Sequence, residues 1–276
     1  MQTFDSQKAN TEILSNKSRY LRRLIFRAIE NGGRGHIGPA LSLVETIHVL
    51  YEYIMRHDPE SPKSENRDRF ILSKGHGCLA LYAVLADQGY FQVDELDSFC
   101  HFDSMLGGHP EITTPGIESS TGSLGHGLPI GVGIAISGKI KKANYHTYVL
   151  MGDGEINEGS VWEAAAIASK HKLNNLTAII DYNKIQSAGS VKEIMDMEPL
   201  KSKWESFGFN VLECNGHSIS ELKETFNKEK TDRPTVIIAH TVKGKGIPAA
   251  EHNPSWHHKA KLSPEILNEI KEALKG

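Results

Sequence analysis

The stretch Met151-Gly152-Asp153-Gly154-Glu155, answered thirty residues on by Asp181-Tyr182-Asn183-Lys184-Ile185-Gln186, decides the fold. Each motif follows an apolar run, residues 146–151 and 176–180, that reads as a buried strand. Residues 158–171 between them are rich in Ala and read as a helix. The result is a strand–helix–strand unit with an oxygen-bearing side chain, Asp153 or Asn183, just past each strand. Open parallel sheets bind their ligands at that carboxyl edge. One carboxylate and one carboxamide are too few to cage calcium. They suit magnesium, which keeps water and completes its octahedron with a bound phosphate or diphosphate. Gly152 and Gly154 allow the backbone to approach such an anion, and the following helix directs its positive end at it. A tight turn with a solvated Asp is the plainer alternative; the matching Asn at the second strand end weighs against it.

The chain of 276 residues carries a net charge of −3 with acids and bases interspersed, so no nucleic-acid footprint is present. Cys78, Cys100 and Cys214 form neither a disulfide framework nor a metal spacing, which fits a reducing cytoplasm. Residues 1–20 lack the apolar stretch of a signal peptide, and no run is long enough to span a membrane.

Outward from the central unit, residues 19–30 show helical spacing stopped by Gly32-Gly33. Ser42 is expected to cap a helix running through Met55, with Glu45 completing a capping box. Residues 69–73 read as a strand opening into Gly75-His76-Gly77, and residues 79–88 and 94–100 as helices. Residues 103–125 form a long aperiodic loop, which in a compact domain is usually functional or disordered. An apolar helix at 128–141 precedes the central unit. After it come a helix near 200–207, a strand at 210–214, a helix at 220–227, a strand at 234–240 and a helix at 263–274. Strands alternate with helices, which predicts an α/β class with a mainly parallel sheet and helices on both faces, in one domain over residues 1–276.

Four of the 14 histidines, His36, His76, His109 and His126, sit inside glycine turns. Glycines remove the side chains that would bury an imidazole, so these rings can donate to phosphate or move protons near neutral pH. Coming from separate segments, they have to converge in the fold to form a site. Thr121-Gly122-Ser123-Leu124-Gly125-His126-Gly127 opens a helix but follows no strand, so it is not a dinucleotide fingerprint; its backbone is expected to line a cofactor. Thr241-Val242-Lys243-Gly244-Lys245-Gly246 could hold an anion or be a solvated loop. It leads to His252, His257 and His258, for which no Cys or acid completes a standard zinc set.

Together these segments resemble the N-terminal, cofactor-binding domain of transketolases over residues 19–259. Gly-Asp-Gly with the later Asn matches the general thiamine diphosphate signature. Leu72-Ser73-Lys74-Gly75-His76-Gly77, Gly108-His109-Pro110-Glu111 and Gly122-Ser123-Leu124-Gly125 match elements specific to transketolases. The resemblance implies that Asp153, Asn183 and the Ile185 carbonyl hold magnesium. It implies that His76, Gly152, Gly154, Glu155 and Asn183 lie at the diphosphate, and Gly122, Ser123 and Leu124 at the thiazolium. His36, His76 and His109 would face the sugar's hydroxyls, and Glu158 with Glu163 would link two cofactors across a dimer. Either His252 or His257 would reach the cofactor. The family has Gly-His-Pro-Gly where this chain has Gly35-His36-Ile37-Gly38, and Gln where it has His126.

Full transketolases are more than twice this length. The implied protein is the N-terminal subunit of a split transketolase, working on sugar phosphates. A separate C-terminal subunit would bring the pyrimidine-binding and C-terminal domains, and copies of this chain would self-associate about a two-fold axis into a heterotetramer. Two other functions stay open on the sequence: the α subunit of a thiamine diphosphate-dependent 2-oxo acid dehydrogenase, and a non-catalytic scaffold.

Overall fold

The computed structural model describes residues 14–228, 231–260 and 262–275, so most of the segment read as free of a signal peptide lies outside the described residues. Helix α1 (Asn16–Gly32) begins at Ser15, whose hydroxyl accepts the Ser18 N–H at 3.1 Å, and ends at Gly33 in the left-handed conformation. Short helices α2 (Ile37–Leu41) and α3 (Val44–Val49) follow, the latter running into a π-turn, Leu50–Ile54. The expected Ser42 capping box is not formed. The Ser42 hydroxyl donates to Pro39 O and Asp181, and the Glu45 carboxylate is taken by the buried guanidinium of Arg22.

Strand β1 (Arg69–Leu72), helix α4 (Cys78–Asp87), helix α5 (Gly127–Lys141), β2 (Thr147–Gly152), α6 (Gly159–Lys170) and β3 (Leu176–Tyr182) come next. Then follow α7 (Val191–Ile194), α8 (Leu200–Ser206), β4 (Asn210–Asn215), α9 (Ile219–Phe226), β5 (Thr235–His240) and α10 (Pro264–Ala273). Residues 94–100, expected as α-helix, instead contain the 3₁₀ turn Val93–Ser98. The sheet is wholly parallel in the order β1-β2-β3-β5-β4.

Alternate residues of β2 and β3 feed separate cores, which makes the middle of each read as an apolar run. In β2, Tyr148 and Leu150 join the core that includes α1, α4 and α9, with Tyr148 against Phe226 of α9, while Val149 and Met151 join the core that includes α5, α6 and α8. A Cβ on Gly131 of α5 would stand 2.4 Å from Val149 Cγ2, so glycine lets that helix lie close on the sheet. Both faces being covered, a ligand approaches the sheet along its strand ends. No helix of the described residues is long and apolar enough to cross a membrane.

Candidate active site

Parallel pairing of β2 and β3 aligns Gly152 with Asp181, so the residues just beyond, Asp153 and Asn183, emerge side by side. Both are buried. Asp153 accepts the Gly154 N–H at 2.8 Å through one oxygen and the Lys184 N–H through the other. The Asn183 amide nitrogen donates to Asp181 at 3.0 Å, because a carboxylate takes only a donor. Its carbonyl oxygen therefore turns to the other side, where it accepts the Ile185 N–H at 3.1 Å.

Asp181 anchors this edge from beneath. Besides Asn183 it receives Lys74 Nζ at 2.6 Å, the Ser42 hydroxyl at 2.7 Å and the Thr241 hydroxyl. Burial alone would raise its carboxyl, but the Lys74 charge and these donors hold it below the ordinary range. Asp153 differs: burial, reinforced by the Asp181 charge, pushes it up to about 7. Its oxygens meet backbone N–H groups rather than an ammonium. A buried carboxylate so disfavoured in its charged form is stabilised by a cation placed beside it.

A cavity of about 270 Å³ opens at this edge. Asp153, Asn183, Ile185, Gly152 and Gly154 line it, as do Gly122 and Leu124 from the 121–127 loop. Gly122 lets that loop touch the His109 ring, since a Cβ there would lie 3.2 Å from His109 Cδ2. Glu155 also lines the cavity but is committed elsewhere. It accepts the Gly125 N–H at 2.9 Å, the Gly152 N–H at 3.1 Å and the Ser73 hydroxyl. It ties the two glycine loops together rather than offering a free carboxylate. Ser123 and Glu158 are exposed and do not line the cavity.

Four imidazoles converge on the cavity from four segments: His36, His76, His109 and His257. His76 rides the 3₁₀ turn Gly75–Gly77 at the end of β1. His109 is held through its carbonyl by the Tyr82 hydroxyl at 2.9 Å. His36 precedes α2 and lies 5.4 Å from His76 and 5.9 Å from His109 between ring centroids. Burial, then the neighbouring His258, His109 and Lys charges, lowers His36 to about 4. Burial and Lys243 lower His257 to about 3, and burial lowers His76 and His109 as well. All four rings are neutral at neutral pH, each with one donor and one acceptor nitrogen.

His257 rather than His252 lies at the cavity. His252 is exposed, and its backbone N–H donates to Lys243 O at 3.0 Å. Among the described residues no three His, Cys, Asp or Glu side chains are placed to share a metal, so His252, His257 and His258 form no zinc set. His126 is exposed, away from the cluster.

Lys74 and Gln186 were given no role from sequence, while Lys243 belongs to the loop read as able to hold an anion. Lys74 and Lys243 both line the cavity, as does Gln186. Lys243 Nζ donates to Ile185 O at 3.1 Å, Gln186 O at 3.0 Å and His257 Nδ1 at 2.9 Å. An ammonium only donates, so the His257 proton sits on Nε2. Lys245 instead pairs with Glu251 at 4.0 Å. The glycine that follows Lys243 in a loop at a strand end was the available signal. A larger groove, about 540 Å³ between α1 and α10, lacks such chemistry: Arg27 pairs with Asp97 and Lys271 with Glu30.

Residues 14–275 match the family model described as transketolase, thiamine diphosphate binding domain. The chain is 42% identical to one of the subunits of the apulose-4-phosphate transketolase of Phocaeicola vulgatus, over 95% of each chain. It is 39% identical to 6-deoxy-6-sulfo-D-fructose transketolase subunit SqwG of Clostridium sp. (strain MSTE9), over 92% of this chain and 93% of that one. A transketolase from Campylobacter jejuni superposes with a TM-score of 0.86 at 32% identity, covering 94% of this chain and 42% of the longer one. These relatives leave the 2-oxo acid dehydrogenase reading without support. The chain belongs to the transketolase family, as its N-terminal, thiamine diphosphate-binding domain.

Proposed function

We propose that this chain is the cofactor-binding subunit of a two-chain transketolase that moves a two-carbon ketol unit from a ketose phosphate to an aldose phosphate. The observation that carries this is the meeting of the Asp153–Asn183 oxygen pair with four neutral imidazoles around one cavity. Magnesium would be held by Asp153, Asn183 and the Ile185 carbonyl, where a dication would relieve the disfavoured Asp153 charge. Lys74 and Lys243 would meet the diphosphate, with Gly154 leaving room for it. When bound, thiamine diphosphate supplies the electron sink for breaking the bond beside the ketose carbonyl. The imidazoles do the proton work. An acceptor nitrogen takes the proton of the hydroxyl on the carbon that departs as aldehyde, and a donor N–H steadies the carbonyl oxygen of the incoming aldose.

A second chain completes the site in this account. The resemblance assigns the acid that activates the aminopyrimidine to the middle domain of transketolases, beyond the region matched here. Two copies of this chain would meet about a two-fold axis at α5 and α6. Glu158 and Glu163 are exposed in this segment, and Ile130 of α5 and Ile167 of α6 are 38% and 45% exposed. The three free cysteines fit a cytoplasmic location. Two relatives are named for apulose 4-phosphate and a sulfonated fructose, so a modified sugar stands beside ordinary pentose phosphates as substrate.

The test is to mix the chain with its partner, thiamine diphosphate and magnesium, and assay ketol transfer beside pyruvate decarboxylation with an artificial electron acceptor. Transfer without pyruvate turnover is expected. Pyruvate turnover without transfer would replace this function by the dehydrogenase one.

A further inference from the structure

Gly35 and Lys259 exchange both backbone hydrogen bonds, at 2.9 and 3.0 Å, in a short antiparallel bridge. In such a ladder the adjacent pair stands directly opposite, with both side chains on one face. Here that pair is His36 and His258. Their ring centroids lie 4.7 Å apart with the planes at 69°. The bridge thus brings the backbones of His36 and His258 opposite one another.

His36 is the hub of the cluster, with His257 5.4 Å away in addition to His76 and His109. His36 lines the cavity, whereas His258 is exposed and outside the lining. The imidazoles therefore gather around His36, four of them lining the cavity and exposed His258 lying outside that lining. A sugar phosphate is a chain of oxygens, its hydroxyls able to accept or donate and its phosphate oxygens able to accept. Neutral imidazole matches it with one donor and one acceptor per ring. The four rings lining the cavity would meet the reacting end, and exposed His258 the far end.

We propose that His258 is a substrate-contacting residue that reads the distal oxygens of the sugar phosphate at the mouth of the cleft, which sets sugar preference. This rests on the ketol-transfer reading above. Since it is not among the residues lining the cavity beside Asp153 and Asn183, it should influence sugar affinity and leave cofactor affinity alone.

The experiment uses the complex with the partner chain, thiamine diphosphate and magnesium. His258→Ala should raise KM for fructose 6-phosphate and ribose 5-phosphate about five- to tenfold, the size of one hydrogen bond, with kcat within about twofold. His258→Gln, which keeps a donor and an acceptor, should recover part of the loss. Comparing ribose 5-phosphate with ribose tells whether the phosphate or a hydroxyl is read. Unchanged KM in His258→Ala, or a fall in kcat alone, would overturn the proposal. A second readout needs no turnover. The ring signal of His258 in ¹³C-histidine-labelled complex, identified by its loss in His258→Gln, should shift when fructose 6-phosphate is added. No shift overturns the proposal. A shift in a complex that transfers no ketol unit would uphold the sugar contact while refuting the transferase reading.

Discussion

Lys243 Nζ sits 3.1 Å from the backbone carbonyl of Ile185, so a cation already occupies the oxygen proposed for magnesium. Burial and the nearby Lys74 lower this ammonium to about 8, and the Asp153 and Asp181 charges oppose that. Removing it leaves the oxygen set to the metal alone. Lys243→Met should therefore bind Mn²⁺, read by electron paramagnetic resonance, roughly 3- to 10-fold more tightly, since like charges about 4 Å apart cost of order 1 kcal/mol even in water. Its affinity for thiamine diphosphate should fall. Weaker Mn²⁺ binding would mean that Lys243 supports the metal instead of opposing it.

Asp153 is the only carboxylate in the proposed magnesium set. Asp153→Ala should lower cofactor affinity by at least ~10-fold, equivalent to about 1.4 kcal/mol. Calorimetry on the complex with magnesium present measures this. Equal affinity in the variant would take Asp153 out of the site.

Behind the site, Glu45 accepts Arg22 Nη1 at 2.5 Å and pairs with His217 Nδ1 at 2.8 Å; Arg22 Nε reaches Lys245 O at 2.8 Å. His217 Nε2 accepts the Val242 N–H at 2.8 Å, so the network anchors the loop carrying Lys243. Glu45→Gln leaves a buried guanidinium unpaired and should cost about 3–5 kcal/mol of stability. Burial alone would raise the Glu45 carboxyl, but the Arg22 charge and the His217 bond hold it far below its ordinary value of 4.5. The folded chain then binds fewer protons at Glu45 than the unfolded chain as pH falls below that value. Its contribution is full above pH 4.5 and drains on further acidification. Urea melts at pH 7 and 4 should show the gap between wild type and variant narrowing at the lower pH. A constant gap would contradict the pairing.

The two-fold interface is tested at Ile167, which is 45% exposed on α6. Ile167→Glu adds charge to a face that faces water in the lone chain, so its melting point should change little. The solution mass of the complex should drop to one copy of each chain. A mass identical to wild type would move the interface elsewhere.

All five strands were legible: the central ones, covered on both faces, read as apolar runs ending at polar turns, and the edge strand β4 kept a short apolar stretch, Val211-Leu212, before its own turn. That Asp153 and Asn183 emerge together was legible because Gly-Asp-Gly and the Asn motif each mark such an end. What escaped depended on partners distant in sequence. Ser42 and Glu45 have the local spacing of a capping box, yet Glu45 bonds Arg22 and His217, 23 and 172 residues away. Lys74 looks like a surface lysine until packing brings Asp181 against it. The choice between His252 and His257 hangs on the Gly35–Lys259 bridge, which turns residues 257–259 toward α2 and which no periodicity encodes.

The central claim is that this chain holds the cofactor but works only with a second chain. The most direct measurement titrates purified partner into a fixed amount of this chain with thiamine diphosphate and magnesium, following ketol transfer from xylulose 5-phosphate to ribose 5-phosphate. The account predicts no transfer at zero partner and a rise that saturates at one partner per chain. Turnover by the chain alone at a rate comparable to the complex, or no transfer at any ratio, would contradict it.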